Sequence, residues 1–253
     1  MSRIAIVVST VGYHWEELFD AYWVFRDAGQ AIDLYTVNGG EPRVDPMSLK
    51  RTGPGSLLGL GLPASIAPET TRGQILTEAL TQVQPLSALN PLQVDAIYLP
   101  GGHGCLFDVN RDPTLHSVLG QLYERGAILS GVCHATSTFA LTKINGRSIA
   151  EGHALTGFPH ALDRTLISLG LVRPEFLPLP LINDDELQRH GTKHSALDET
   201  IAFLNPRHMR VSLPFITGVG PKSAAPVAKT VLEQLKKGKL QKDDRSRKEA
   251  KRA

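Results

Sequence analysis

Short apolar runs closed by turn residues recur along the chain, and between them apolar residues fall at helical spacing. Ile4–Val8 is an unbroken apolar run ended by Ser9, Thr10 and Gly12, the pattern of a strand buried on both faces. From Glu16 to Ala28, apolar residues recur at Leu18, Ala21, Tyr22, Phe25 and Ala28. That is one face of a helix, with Gly29 as its stop. Ala31–Val37 reads as a second strand, followed by the Gly39-Gly40 turn. Strand, helix and strand within about forty residues form a βαβ unit, which implies a parallel sheet with a right-handed crossover.

The same alternation resumes after residue 94. Asp95–Leu99 is a buried strand leading into Pro100-Gly101-Gly102-His103-Gly104. A helix is expected from Asp112-Pro113 to Gly126, with Leu115, Val118, Leu119 and Leu122 on one face. Ala127–Val132 is the next strand, and His134–Asn145 reads as helix almost without a loop between them. Further helices are expected over Leu162–Leu169, Asp184–His190 and Ser223–Leu235, with short strands at Arg210–Ser212 and Phe215–Thr217. Residues 42–92 fit the alternation poorly. Gly and Pro punctuate 53–68 and a helix is expected over Thr71–Gln84, so this stretch reads as a helical insertion or cap over the sheet. The fold class is α/β, a doubly wound, mostly parallel sheet in one domain, 1–235. Ligands in such sheets bind beyond the carboxyl ends of the strands.

The 253 residues suffice for one large core. A hydrophobic fraction of 42% and a charged fraction of 21% fit a globular protein. No apolar run approaches the roughly 18 residues of a membrane span, and Ile4–Val8 is too short for a secretory signal. A cytoplasmic location is expected. The net charge of +2 is unevenly spread. Nine of the 27 Lys/Arg and three of the 25 Asp/Glu fall in residues 236–253, leaving 18 and 22, a net of −4, in the rest. The basic end lacks aromatics for stacking on bases and an apolar stripe for lipid. It is expected to be a solvated, disordered tail, with no nucleic acid or membrane partner.

Of the two cysteines, Cys105 and Cys133, the second has the telling context. Ser130-Gly131-Val132-Cys133-His134-Ala135 places it where a buried strand turns into a helix, framed by small residues, as at a nucleophile elbow. A helix start favours thiolate over thiol. His134 is expected to point away from the Cys133 side chain yet to reach a neighbouring atom as acid or base. Gly101, Gly102 and His103 end the preceding strand at the same edge, where backbone N–H groups suit an oxyanion. Glu17 opens the first helix at that edge. Tyr13, His14 and Trp15 precede it, and either wall the pocket, Trp15 as a substrate contact, or pack as core. The nine histidines offer no close ligand pair with a clear acid partner, so no metal and no cofactor are expected.

Taken with their order and spacing, Gly12-x-x-x-x-Glu17, Phe25-Arg26-x-Ala28-Gly29, Pro100-Gly101-Gly102-His103-Gly104, Gly131-x-Cys133-His134, Thr156-Gly157-Phe158 and Ile216-Thr217-Gly218 resemble the DJ-1/PfpI superfamily. The GGHG loop, Asp45-Pro46-x-Ser48 and the insertion are most similar to its Hsp31-like branch. The resemblance implies a flavodoxin-like sheet shared with class I glutamine amidotransferases. It also implies glutathione-independent glyoxalase (glyoxalase III) chemistry on a small α-oxoaldehyde, and a homodimer. It implies that Cys133 is the nucleophile, that His134 is its neighbour in a triad, and that Glu17 contacts the sulfur. The backbones of Gly102 and His134 would then hold an anion. The triad acid follows Thr156-Gly157-Phe158, where Asp163 stands in the place of a Glu. Ala135 in place of a second glycine departs from the amidotransferases. A redox-sensing or holdase protein and a Cys-dependent hydrolase or hydratase are the alternatives.

Overall fold

The protein, seen as a computed structural model, is described over residues 1–52 and 61–250, with Ala196 and 239–250 as backbone alone. One seven-stranded sheet organises it. In chain order its strands are β1 (Arg3–Val7), β2 (Ala31–Thr36), β3 (Gln84–Pro85), β4 (Ala96–Leu99), β5 (Ile128–Val132), β8 (Met209–Ser212) and β9 (Phe215–Gly218), arranged β3-β2-β1-β4-β5-β9-β8. All neighbours pair in parallel except β8 with β9. The order reverses between β1 and β4, which puts a crevice at their carboxyl ends.

The runs that read as doubly buried strands are so. Every residue of β4, β5 and β9 is buried. Alternate side chains go to opposite faces. Ile4, Ile6, Tyr98, Val132 and Ile216 pack with Leu18, Phe25, Val227 and Val231. Ala5, Val7, Ile97, Leu129 and Phe215 pack with Leu115, Leu119, Leu122 and Phe139. One face is thus covered by α1 (Trp15–Asp27) and the terminal helix, the other by α3 (Pro113–Glu124) and α4 (Ser137–Leu141). Gly29 and Gly126 end α1 and α3 with φ of 66° and 69°, as helix-stopping glycines do.

Four expectations change. The helix expected over His134–Asn145 is a 3₁₀ turn, Cys133–Thr136, then the short α4. A hairpin of β6 (Lys143–Ile144) and β7 (Arg147–Ser148) follows. Its turn is Asn145-Gly146, with φ of 51° and 80°, the dipeptide that favours a tight hairpin turn over helix. The insertion is not purely helical. It carries α2 (Thr71–Leu80) but also lends β3 to the sheet edge, beside Tyr35 and Thr36; residues 53–60 of its Gly/Pro-punctuated stretch lie outside the described residues. A helix unforeseen in the sequence, α7 (Ala196–Leu204), starts from a capping box of Ser195 and Asp198. Finally, the helix expected to end at Leu235 is α8 (Pro221–Ala250). The backbone of most of the segment expected as a disordered tail therefore continues a helix, as Lys- and Arg-rich sequence permits. α5 (His160–Ser168) and α6 (Asn183–Arg189) lie close to their expected positions.

Candidate active site

Three strand ends build one site. Cys133 follows β5 with φ of 59°, a left-handed conformation that costs a non-glycine residue about 1–2 kcal/mol. The surroundings enforce it. Gly131 lies against β4, where an added Cβ would stand 3.0 Å from the Leu99 carbonyl oxygen. The Ser130 hydroxyl donates to the Ile97 carbonyl at 2.6 Å. Beyond the turn, Asn110 Nδ2 donates to the His134 carbonyl at 3.1 Å. Asn183 Oδ1 accepts from the Thr136 hydroxyl at 3.1 Å and from the Ser137 N–H at 3.0 Å. No sequence pattern pointed to either asparagine.

His134 does not point away from its neighbour. Its Nδ1 is 3.3 Å from Cys133 Sγ, and its Nε2 is 3.1 and 3.0 Å from Asp163 Oδ1 and Oδ2. Asp163 lies in the first turn of α5, completely buried. The preceding Thr156-Gly157-Phe158 segment is fixed to β9 by the Thr156 N–H on Thr217 Oγ1 at 2.9 Å. Gly157 has no room for a side chain, since a Cβ would meet Asn183 Nδ2 and Thr136 Oγ1 at 2.1 Å. Phe158 packs on the His134 ring, centroids 4.6 Å apart. Burial alone would raise the Asp163 carboxyl, but His134 and His103 outweigh it and hold it well below the usual carboxylate range.

Glu17, on α1, is fully buried and accepts the Gly101 N–H on Oε2 at 2.6 Å. Burial raises its carboxyl to about 7, against the Gly101 N–H and the Cys133 thiol, which stabilise its charge. Gly101 is wedged between the two, because a Cβ there would be 2.7 Å from Cys133 Cβ and 3.0 Å from Glu17 Oε2. Gly102, at φ of 110°, faces the backbone of Gly12 and His14. The backbone N–H groups of His134 and Gly102 both face the Cys133 sulfur. Burial nevertheless pushes the Cys133 thiol up, helped by Glu17 and Cys105. This corrects the expectation of a thiolate favoured by a helix start. A 3₁₀ turn and a five-residue α4 carry little dipole, and a buried sulfur prefers to stay neutral.

His103 also joins the cluster, its Nε2 3.1 Å from Asp163 Oδ1 and its ring 4.5 Å from that of His134. The sequence offered no histidine pair sharing an acid; the structure supplies one. One atom from each of His103, His134 and Asp163 lies within 4.8 Å of the others. Their N···O separations are hydrogen-bond lengths, which suits proton transfer.

Trp15 is not a ligand donor at this site. Its indole N–H donates to the Ile66 carbonyl at 2.6 Å and its ring packs against Phe19, so it ties the insertion to α1. Tyr13 is likewise buried, its backbone paired with Arg43 and Asp45. The Asp45-Pro46-x-Ser48 turn steadies the helix that bears Glu17, because Ser48 Oγ accepts the Trp15 N–H at 3.1 Å and so holds the start of α1. The His14 imidazole feels the site histidines: burial, then the charges of His103, Lys222 and His134, lower it to about 3.

No family model matches the chain. Among curated proteins it is similar to the glutathione-independent glyoxalase hsp3102 of Schizosaccharomyces pombe, 23% identical over 238 residues, 88% of this chain and 89% of that protein. It is 28% identical over 151 residues to glutathione-independent glyoxalase hsp3101 of the same yeast, and 25% over 163 to glutathione-independent glyoxalase HSP31 of Saccharomyces cerevisiae. Those two matches span 58% and 63% of this chain, and 59% and 65% of the relatives. Among solved structures, glyoxalase III from Candida albicans superposes with a TM-score of 0.64 at 20% identity, over 92% of this chain and 96% of that one. A ThiJ/PfpI domain protein from Brachyspira murdochii gives 0.60 at 16%, over 93% and 96%. At these identities the two structures speak for the fold. With the Glu17, glycine-loop and Cys-His elements assembled at one sheet edge, the chain shares the fold of the ThiJ/PfpI-type structures and is similar in sequence to Hsp31-like glutathione-independent glyoxalases.

Proposed function

We propose that this chain is a glutathione-independent glyoxalase that converts a small α-oxoaldehyde such as methylglyoxal to its 2-hydroxy acid, lactate, through a covalent adduct on Cys133. The observation that carries this reading is the unbroken line from sulfur to carboxylate: Cys133 Sγ, His134 Nδ1 at 3.3 Å, His134 Nε2, and Asp163 at 3.0 Å. The names of the yeast relatives support the same chemistry.

Burial keeps the proton on the resting thiol, so the thiol must be deprotonated as it attacks. His134 Nδ1 is placed to take that proton, and the ionised Asp163 stabilises the imidazolium. The sulfur adds to the aldehyde carbon, and the proton passes to the former aldehyde oxygen to give a hemithioacetal. His134, or Glu17 in its ionised form, then removes the hydrogen from that carbon. Returning a proton to the neighbouring carbon through an enediolate produces a thioester. The N–H groups of Gly102 and His134 face the sulfur and favour negative charge beside it. Water then releases lactate and restores the thiol. Carbon oxidation and reduction cancel within the substrate, so no cofactor is required.

The described residues contain no helix long and apolar enough to cross a membrane. We read the protein as a homodimer, by resemblance. The direct test is mass spectrometry of the intact protein after brief exposure to methylglyoxal. An adduct on wild type that is absent from Cys133→Ala supports the reading, and the absence of any adduct on the reduced wild type contradicts it.

A further inference from the structure

Asp163 serves two imidazoles. His134 and His103 each place Nε2 3.1 Å from its Oδ1, and His134 also reaches Oδ2 at 3.0 Å. An ionised carboxylate only accepts hydrogen bonds. In their neutral forms, both histidines must therefore carry the proton on Nε2, and both present a lone pair on Nδ1. For His134 that lone pair meets the Cys133 thiol. For His103 no hydrogen bond among the described residues occupies Nδ1. The two side chains also differ in access: His103 keeps 11% of its surface, against 1% for His134 and none for Asp163. The ring is held in place by Phe176, nearly parallel at 6.4 Å, and by the edge of Phe158 at 6.3 Å.

We propose that His103 is a second catalytic base, whose Nδ1 deprotonates the water that releases the product from Cys133; this role rests on the glyoxalase reading. Hydrolysis of the thioester needs a base on water and a proton for the departing sulfur. His134 Nδ1 is committed to the sulfur. His103 is the member of the cluster that water reaches, and Asp163 Oδ1 is in place to stabilise the imidazolium that forms. The hydroxyl of water bonds to the acyl carbon and its proton goes to His103 Nδ1. The carbon–sulfur bond breaks with its electron pair on Sγ. The new carboxylic acid gives its proton to His134 Nδ1, which hands it to the thiolate, and His103 returns its proton to solvent. Burial lowers the His103 imidazole, with the charge of His134 acting in the same direction, so the resting ring is a neutral acceptor.

The test compares wild type with His103→Gln and His103→Asn, the second variant guarding against misfolding of the first. Each is mixed with methylglyoxal without glutathione, and the Cys133 adduct, free lactate and hydroxylamine-trapped acyl product are followed over time. We expect the variants to form adduct at the wild-type rate, to release lactate about a hundredfold more slowly, and to accumulate a thioester. Hydroxylamine, a nucleophile that needs no base, should restore their turnover as the hydroxamate. A variant that releases lactate at the wild-type rate overturns the role. So does a variant that forms no adduct although its Cys133 still reacts with iodoacetamide. A wild type that forms neither adduct nor lactate overturns the glyoxalase reading, and this role with it.

Discussion

His134 Nε2 and Asp163 Oδ2 stand 3.0 Å apart, although 29 residues separate them in the chain. In the Hsp31-like pattern that the sequence resembles, a glutamate occupies the position of Asp163. The shorter side chain still reaches, because α5 carries it in its first turn, directly after the segment anchored to β9. Asp163→Asn keeps the shape but loses the acceptor-only carboxylate. It should cut lactate formation by about 10³–10⁴-fold with the protein still folded. Asp163→Glu forces an extra methylene into a fully buried site and should lower activity too. A Glu variant faster than wild type would mean that reach limits the natural triad.

Glu17 sets a pH dependence of stability. Its carboxyl is raised to about 7 from an ordinary value of 4.5, so the folded state binds its proton more tightly than the unfolded chain. Between those two values the native state holds more protons, and stability falls as pH rises. Above about pH 7 the full cost is present, up to about 3 kcal/mol. Glu17→Gln removes it. Chemical denaturation at pH 5 and pH 8 should show a smaller difference in the variant than in wild type, with the variant gaining at pH 8. An unchanged pH slope would contradict the raised carboxyl.

Two glycines make a matched comparison. Gly29 has φ of 66° with open space around its missing Cβ, so Gly29→Ala should cost about 1–2 kcal/mol in backbone strain and leave turnover intact. At Gly101 a Cβ would stand 2.7 Å from Cys133 Cβ. Gly101→Ala should cost about 1–3 kcal/mol by overpacking and abolish adduct formation. Denaturation midpoints and adduct yields on both variants check this.

Asn183 joins α6 to the elbow through the Thr136 hydroxyl and the Ser137 N–H. Asn183→Ala leaves the buried Ser137 N–H without its acceptor, while the Thr136 hydroxyl keeps the Cys133 carbonyl at 2.9 Å. The expected loss is about 1–3 kcal/mol, accompanied by slower attack because the strained Cys133 backbone is less firmly held. Asn183→Ala with wild-type stability would show that the elbow holds itself.

Much of this architecture is legible in the residues. The strand runs ending at Val8 and Leu99 are apolar on both faces because the sheet is covered on both, so short unbroken apolar runs between turn residues reveal them. The Cys133 elbow and Gly101-Gly102 are readable because close backbone approach admits little but small residues. What stays hidden depends on contacts between distant segments. Nothing in the local sequence says that His103 shares Asp163 with His134, or that Trp15 spends its N–H on the insertion. The thiol of Cys133 departs from expectation because the helix after it is too short to supply a useful dipole, and burial outweighs what remains. The helix expected through Asn145 fails on a local signal that is present in the sequence, the Asn145-Gly146 turn.

The central claim is tested most directly by lactate formation from methylglyoxal in the absence of glutathione, measured for wild type and Cys133→Ala with Cys133 reduced. The proposal predicts steady lactate production by wild type and none by the variant. A folded wild type that makes no lactate would contradict it and turn attention to the redox-sensing, holdase or hydrolase alternatives.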